Sequence, residues 1–256
     1  MCRFETSRGR DGMPLRSGEA EVRADLDGQS RLDAITTQPL AGGVEKLHGL
    51  TVRQGFRDAI RAAVPDEVAG NTPLALLLDD LPVAALISGY GLLYTGRIPA
   101  VLPENRLQSG ICSGWRADGT MMTSVKLGRG VPTPLGPLAP DDDPEFSWLD
   151  ELPRLGMRRQ RLIDSTPDSS TPGSGVDVYA WFRDTFVDSD GTRTVLHEYD
   201  LTARLEDGRF VFVDAVPRVL PWVECPVAAA SSDALIGRRP SEVRDLVKRD
   251  LQGTQI

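Results

Sequence analysis

Strict alternation of apolar and polar residues marks the first regular segment of the chain. Val22, Ala24 and Leu26 alternate with acidic and basic residues, and this period of two predicts a half-buried strand. An Asp-Gly pair at 27–28 is a strong hairpin-turn signal, and residues 32–36 return as a second strand. The sequence therefore predicts a β-hairpin here.

Two helical patterns follow this hairpin. Apolar residues recur at spacings of three and four between Thr51 and Ala63, which predicts an amphipathic helix with Thr51 as its N-cap. A second helix is predicted over roughly residues 73–89. Because proline cannot donate a backbone hydrogen bond and clashes with the preceding turn, Pro82 is expected to kink this helix or split it in two.

Three further strands are predicted in the second half of the chain. The segment from Val176 to Val187 is rich in aromatic residues, and residues 194–205 and 210–216 follow it after Gly-containing turns. Short turns between such runs are typical of β-hairpins. The pattern thus predicts an antiparallel meander of at least three strands.

The two halves of the chain resemble each other in order and polarity. Hairpin residues 24–28 parallel residues 203–208, and helix residues 57–61 parallel residues 244–248. We expect an α+β fold in which two diverged copies of a β-hairpin–helix–helix unit form an antiparallel sheet covered by helices. A lone hairpin needs packing on its apolar face, so the two units would join their sheets or cover each other.

This organisation divides the chain into four parts. Residues 1–17, rich in Arg and Gly, are predicted to be a disordered leader, and residues 18–95 form the first unit. A connector over residues 96–175 holds a short helix near Phe146 and a low-complexity loop. Residues 176–256 form the second unit, which is expected to lack its closing helix because the chain ends where the first unit continues.

Composition narrows the choice of partners. The 256 residues carry a formal net charge of −8, which argues against a nucleic-acid surface or an anionic membrane as partner. The start of the chain has no apolar signal-peptide core. The longest apolar stretch, residues 74–93, is interrupted by two Asp and a Pro, too polar for a membrane span. We expect a cytoplasmic protein that binds a small-molecule ligand, with a homodimer left open.

The cysteine and histidine content gives no metal site. Three cysteines at positions 2, 112 and 225 lie far apart without a CxxC pair, which favours a reducing compartment and no disulfide framework. Zinc sites need three or four protein ligands, and only two histidines are present. Dinucleotide-binding, P-loop, hydrolase-elbow and zincin motifs do not occur. No metal and no cofactor is predicted.

Candidate chemistry centres on polar residues near the last strands. Alternation places His197 and Tyr199 on one face of a strand, where they could relay a proton or form a cross-strand polar pair without chemistry. Glu224 is a third acid/base candidate, and Trp222 and Cys225 are expected to bind substrate. A thiolate at Cys225 would gain from a helix N-terminus. The alternative for Cys225 is a small buried hydrophobic side chain.

A basic run at residues 158–161 offers an anion anchor. Guanidinium groups make bidentate contacts with carboxylates and phosphates, so Arg159 could bind a substrate carboxylate, a phosphate or the pyrophosphate of coenzyme A. The alternative is a solvated face that pairs with Asp164 and nearby acids. Arg183 and Asp184 are expected to form a local ion pair.

Several short motifs, taken in order, resemble a bacterial family catalogued as domain of unknown function 2889. They are Gly70-Asn71-Thr72-Pro73-Leu74, Cys112-Ser113-Gly114-Trp115, Met157-Arg158-Arg159, Phe182-Arg183-Asp184, His197-Glu198-Tyr199 and Trp222 with Glu224-Cys225-Pro226. The resemblance implies no established activity. Members of that family usually continue past the Gly-Thr at 253–254 with a Cys-Thr-His-Leu-Asn-Asp segment, whereas this chain reads Gln-Ile.

The second unit is also similar, as a fold, to SufE and NifU-like iron–sulfur scaffold proteins. Two strands, a cysteine, a run of small residues and a helix follow one another in both. Only Cys225 could correspond to a ligand of that fold, so the likeness implies no bound metal.

Two functions from different classes follow from these residues. The first is a cofactor-independent acid/base enzyme of lyase, isomerase or cyclase type that acts on a small organic or acyl metabolite. The second is a non-catalytic ligand-binding or accessory protein of a metabolic pathway. The sequence does not decide between them.

Overall fold

The computed structural model describes the backbone of residues 2–6 and all atoms of residues 20–53, 55–97, 109–129, 152–168 and 175–251. These residues form an α+β fold, as expected. Most of the predicted leader, the start of the helix predicted near Phe146, most of the low-complexity loop and the last five residues lie outside the described residues.

Seven strands form one sheet in the order β3-β2-β1-β4-β5-β6-β7. The strand β1 pairs in parallel with β4, and every other neighbouring pair is antiparallel. In this way β1 joins a two-stranded hairpin, β2-β3, to a four-stranded meander, β4 to β7. The strands are β1 Cys2–Thr6, β2 Ala20–Leu26, β3 Leu32–Gln38, β4 Met157–Pro167, β5 Val176–Val187, β6 Arg193–Glu206 and β7 Arg209–Val219.

The helices lie between the hairpin and the meander in sequence, or follow the meander. The α-helices are α1 Phe56–Ala63, α2 Pro65–Ala69, α3 Pro73–Tyr94, α4 Thr120–Lys126 and α5 Val243–Asp250. The 3₁₀ segments are Val44–Leu47, Ser113–Trp115, Cys225–Leu235 and Pro240–Glu242.

The first helix begins later than the sequence pattern predicts. Its N-cap is Gly55, with a φ of 85°, and Thr51 instead forms an isolated antiparallel bridge with Arg31. The backbone N–H of Leu32 donates to the oxygen of Leu50 at 2.9 Å. Because these contacts hold residues 50–51 extended beside the hairpin, Thr51 cannot cap the helix, and that prediction is wrong.

Helix α3 is continuous through Pro82 over 22 residues. The side chain of Thr72 caps its first turn by accepting a hydrogen bond from the backbone N–H of Ala75 at 3.1 Å. Leu78 and Leu81 are buried directly before the proline. Since tertiary packing supplies most helix stability, these contacts offset the hydrogen bond that Pro82 cannot make, and the predicted split does not occur.

The structure adds strands to two of the predicted parts of the chain, the leader and the connector. Residues 2–6 of the predicted leader form a strand, and the predicted connector contributes β4, which pairs with β5 over eleven residues. The hairpins β2-β3 and β6-β7 lie at opposite ends of the sheet, and each is followed by a 3₁₀ segment and a helix. Duplication of one unit stays a prediction.

The main core lies between the β2-β3 hairpin and helices α1 and α3. Val22, Leu32, Phe56 and Leu77 are almost fully buried in it. By length and composition alone, α3 is the one helix of the described ranges that could cross a membrane. The core helices of soluble proteins also pass this test of length and composition. The packing of α3 on the sheet is consistent with a soluble protein. A cytoplasmic location stays a prediction.

The carboxyl-terminal half of α3 packs closely on the meander at Gly91. A Cβ atom added to Gly91 would lie 2.5, 2.7 and 2.9 Å from ring carbons of Phe186, a ring that is 1% exposed. We expect Gly91→Ala to lower the free energy of unfolding by about 1–3 kcal/mol through overpacking. Urea denaturation of purified protein measures this change.

A second glycine of the same helix provides the control. A Cβ at Gly89 would meet nothing within 4 Å, so Gly89→Ala should raise the free energy of unfolding by up to about 1 kcal/mol, since alanine favours helices. If both substitutions changed stability in the same direction, close packing of α3 on Phe186 would be contradicted.

Candidate functional site

The meander places six polar and aromatic side chains in two adjacent rows on the face that α3 covers. In the first row, Arg159 pairs with Asp184, which pairs with His197; in the second, Arg161 pairs with Phe182, which pairs with Tyr199. Residues two apart on a strand project from the same face, so the rows stand side by side. The strand register thereby assembles a candidate site.

The centre of the first row is a buried ion pair. Arg159 donates from Nε to Oδ1 of Asp184 and from Nη2 to Oδ2, both at 2.7 Å. The Asp184 side chain is fully buried and that of Arg159 is 7% exposed. Burial alone would raise the pKa of Asp184, but the charge and hydrogen bonds of Arg159, followed by those of His197, hold it well below its ordinary value. Asp184 is therefore a buried carboxylate in its ionised form.

His197 faces this carboxylate through one ring nitrogen. Its Nδ1 lies 3.5 Å from Oδ2 of Asp184, and the side chain is 19% exposed. Nδ1 itself is enclosed, and at this separation it forms no well-aligned hydrogen bond with any described residue. The exposed part of the side chain therefore lies on its other atoms.

A second carboxylate, from α3, supports the two arginines. Arg161 donates to both oxygens of Asp80, one of them at 2.8 Å, and Nη1 of Arg159 lies 3.8 Å from Oδ1 of the same residue. Both guanidinium groups also stand over the ring of Phe182, at 5.1 and 5.7 Å from its centroid. These contacts fix the arginines between helix and sheet.

Tyr199 stacks on its neighbour in the second row and is influenced by the charge of two cysteines. Its ring stacks on that of Phe182, with centroids 5.5 Å apart. Burial raises the pKa of Tyr199 to about 12, and negative charge on Cys225 or Cys112 would raise it as well. At neutral pH the side chain is therefore a neutral phenol that can donate a hydrogen bond.

Cys225 does not have the activated thiol that a helix N-terminus would provide. It begins a 3₁₀ segment and is 9% exposed. Burial first, and then the charges of Cys112 and Glu224, raise its pKa to about 11. The thiol is thus protonated at neutral pH, in agreement with a small buried side chain.

Glu224 and Trp222 make structural contacts with α4. Oε1 of Glu224 accepts hydrogen bonds from the backbone N–H of Thr120 at 2.8 Å and from its hydroxyl at 2.7 Å. Trp222 donates from its indole nitrogen to the same hydroxyl at 2.8 Å. Glu224 thus caps the first turn of α4, and among the described side chains it forms no hydrogen bond or ion pair with His197.

The structure therefore brings together three of the six predicted site residues, namely Arg159, His197 and Tyr199, and charge on a fourth, Cys225, would act on Tyr199. Glu224 and Trp222 belong to a neighbouring layer that holds α4. The residues that sequence reasoning missed are Asp184, Phe182, Asp80 and Cys112.

Arg183 and Asp184 do not pair with each other, which corrects the predicted local ion pair. Neighbouring residues on a strand point to opposite faces, so Arg183 instead binds Glu198 on the far side of the sheet, at 3.0 and 3.1 Å. The same alternation places Asp184 with Phe182 and Phe186. A lone carboxylate between aromatic residues on one strand face was the signal that could have identified it.

That opposite face carries a cavity of about 380 Å³. Tyr179, Thr202, Arg204 and Phe212 contribute to its lining. Because alternate residues of a strand point to opposite faces, the sheet separates this cavity from the two rows of the candidate site.

Among the described side chains, no group of three His, Cys, Asp or Glu residues is placed to hold a metal ion.

Comparison with known proteins agrees with part of the sequence resemblance. Residues 157–255 match the family described as Protein of unknown function (DUF2889), a range that contains β4 to β7 and both rows of the candidate site. The motifs before residue 157 lie outside the match. No curated protein and no solved structure matches the chain. Over residues 157–255, the chain is similar to the DUF2889 family of proteins of unknown function.

Proposed function

We propose that this protein is a cofactor-independent acid/base enzyme of lyase, isomerase or cyclase type, acting on a small organic or acyl substrate. The observation that supports the proposal is the buried, ionised carboxylate of Asp184, which faces Nδ1 of His197 at 3.5 Å. Acid/base active sites commonly use a carboxylate to orient a histidine in this way.

The carboxylate fixes the state of the imidazole ring. An ionised carboxylate can only accept a hydrogen bond, so Asp184 favours the tautomer of His197 with its proton on Nδ1. The Nε2 atom then carries the lone pair, with which it can remove a proton from a substrate and return it. Such proton transfer contributes about 10²–10⁴-fold to a reaction rate.

Tyr199 supplies a second, neutral group. Its raised pKa of about 12 keeps the phenol protonated, so it can donate a hydrogen bond to a substrate oxygen on which negative charge develops. Tyr199 and His197 project from the same strand face, two residues apart. One side chain can therefore act as the base while the other stabilises the product of proton removal.

The other predicted residues take supporting roles in this proposal. Nε and Nη2 of Arg159 both donate to the carboxylate of Asp184. Arg159 is therefore a positioning residue that keeps this carboxylate ionised. Glu224 and Trp222 position α4 through Thr120. Cys225 is a neutral side chain at neutral pH, because its pKa is raised to about 11.

Turnover of a panel of small carboxylic acids, keto acids and acyl thioesters by the full chain tests the proposal. His197→Asn should lower turnover of any accepted substrate at least about 100-fold and leave the thermal unfolding curve close to that of the wild type. His48→Asn is the matched control, because His48 lies exposed in a loop, and it should retain turnover. Full activity in the His197→Asn protein would contradict the proposal.

The tautomer of His197 can be measured without a substrate. Long-range ¹H–¹⁵N correlation spectra of the neutral ring should show Nδ1 protonated and Nε2 unprotonated. A ring with its proton on Nε2 would contradict the role given to Asp184.

The non-catalytic alternative has one observation in its favour. The thiol of Cys225 and the phenol of Tyr199 are both protonated at neutral pH, and Nε and Nη2 of Arg159 are bound to Asp184. A site of neutral donors can hold a ligand without transforming it. Binding of a panel compound without turnover, weakened in the His197→Asn protein, would support this second function.

A further inference from the structure

Cys225 packs directly on the backbone of a neighbouring 3₁₀ turn. A Cβ atom at Gly114 would lie 2.6 Å from Sγ of Cys225, so the close approach of the sulfur requires glycine at this position. Gly114 belongs to the turn Ser113–Trp115. The sulfur of Cys225 therefore touches a segment that is distant in sequence.

Cys112 begins that same turn. Its carbonyl oxygen accepts a hydrogen bond from the backbone N–H of Trp115 at 3.1 Å, which fixes Cys112 beside Gly114. Two residues of chain span at most about 7 Å, so Cys112 stands within that distance of the backbone under Cys225. Disulfides join residues whose Cα atoms are about 4.4–6.8 Å apart.

The ionisation of the two thiols is coupled, as expected for neighbouring groups. Negative charge on Cys112 raises the pKa of Cys225, and charge on either sulfur raises the pKa of Tyr199. Both cysteines are free thiols. Geometry thus places the sulfur of Cys225 on the turn that Cys112 begins, and the charge of either thiol acts on Tyr199.

The two thiols differ in access. Cys112 is partly exposed, whereas Cys225 is buried. Burial raises the pKa of the Cys112 thiol, and hydrogen bonds from the backbone N–H groups of Trp115 and Gly114 offset part of that rise. Since reactivity follows thiolate character and exposure, Cys112 is the sulfur that an oxidant in solution meets first.

We infer that Cys112 and Cys225 form an oxidisable dithiol that a hydroperoxide converts to an intramolecular disulfide. The thiolate of Cys112 attacks one oxygen of the peroxide O–O bond, which breaks to give a sulfenic acid and, after protonation, water or an alcohol. The sulfur of Cys225 gives up its proton and attacks the sulfenic sulfur, whose hydroxyl leaves as a second water. Two thiols are oxidised and one peroxide is reduced.

This modification does not depend on the proposed acid/base activity. The disulfide would tie the 109–129 segment covalently to the 3₁₀ segment Cys225–Leu235, which packs on β7. Because charge on either sulfur raises the pKa of Tyr199, oxidation of the two thiols would also remove that influence on the candidate site.

Peroxide treatment of the full chain in a Cys2→Ser background tests the inference, since Cys2 is the third thiol of the chain. Hydrogen peroxide should remove both remaining thiols, measured by reaction with a chromogenic disulfide after denaturation. The protein mass should fall by two hydrogens, and peptide mapping without reductant should find 112 linked to 225. Dithiothreitol should restore both thiols.

Single variants separate this inference from independent oxidation. In the Cys2→Ser/Cys225→Ser protein, Cys112 should accumulate as a sulfenic acid that dimedone traps, whereas in the two-thiol protein trapping should fall at least about tenfold, because Cys225 competes as an adjacent resolving thiol. Retention of both thiols in the treated protein, stepwise addition of oxygen without a linked peptide, or disulfide-linked dimers would each overturn the inference. These outcomes are read without any substrate, so they leave the proposed function untouched.

Discussion

Arg159→Ala is expected to lower the free energy of unfolding by about 3–5 kcal/mol, the largest loss expected from removal of one charge in this protein. Asp184 is fully buried and receives two hydrogen bonds from Arg159. Without the guanidinium, the carboxylate must stay buried without its main countercharge or take up a proton. Urea denaturation followed by circular dichroism measures the change.

Two control variants test whether the unpaired buried charge causes this loss of stability. The double variant Arg159→Met/Asp184→Leu removes both charges at similar volume and should recover most of the loss, because two apolar side chains need no compensation. Arg218→Ala breaks a pair with Asp200 in which the arginine is 54% exposed, and it should cost no more than about 1 kcal/mol. A double variant as unstable as the single one would contradict a buried-charge mechanism.

The same pair sets a pH dependence with a definite sign. The pKa of Asp184 is lower in the folded protein than its ordinary value, so the folded state holds fewer protons at this site than the unfolded state. The resulting stabilisation is fully present above the ordinary pKa of about 4 and is lost as the pH falls below it. The double variant should therefore lose less stability between neutral and acidic pH than the wild type.

The features that sequence reasoning predicted are the ones that local patterns encode. Strands β5, β6 and β7 follow from alternation and from Gly-containing turns, which depend on neighbouring residues. The shared face of His197 and Tyr199 follows from the period of two alone. The α+β class then follows from strands and helices that occur in the same chain.

The features that sequence reasoning missed depend on register between distant strands. The partner of Arg159 is Asp184 because β4 and β5 pair in one particular register, and no pattern within β4 reveals it. A basic run is more often exposed than buried, so a solvated face was the ordinary interpretation. Likewise, Cys225 meets the turn that holds Gly114 through the packing of two irregular segments, which periodicity does not describe.

Two adjacent aspartates of α3 lead to the second large prediction. Asp80 is 9% exposed in its side chain and binds Arg161 through both oxygens. Asp80→Ala should lower the free energy of unfolding by about 1.5–3 kcal/mol, the range for hydrogen bonds to charged groups. The expected loss is smaller than for Arg159→Ala because Arg161 keeps 27% exposure and can be hydrated.

Its neighbour Asp79 is the matched control. Asp79 pairs with Arg57 and Arg244, whose side chains are 41% and 53% exposed, and surface pairs contribute about 1 kcal/mol or less. Asp79→Ala should therefore leave stability nearly unchanged. The same chemical change at adjacent positions of one helix isolates burial as the cause, and equal losses in the two variants would contradict it.

The difference between the two aspartates also bears on the role of α3. A helix of this length and apolar composition meets the simplest criteria for a membrane span, but a buried carboxylate that joins it to two strand arginines has its partners within the protein fold. Asp80→Leu makes α3 more apolar and so more suited to lipid, yet it removes the countercharge of Arg161 and Arg159. We expect Asp80→Leu to lower the free energy of unfolding of the purified protein in detergent-free buffer. An unchanged or higher stability would show that α3 gains more from apolar surroundings than from its ion pairs with the sheet.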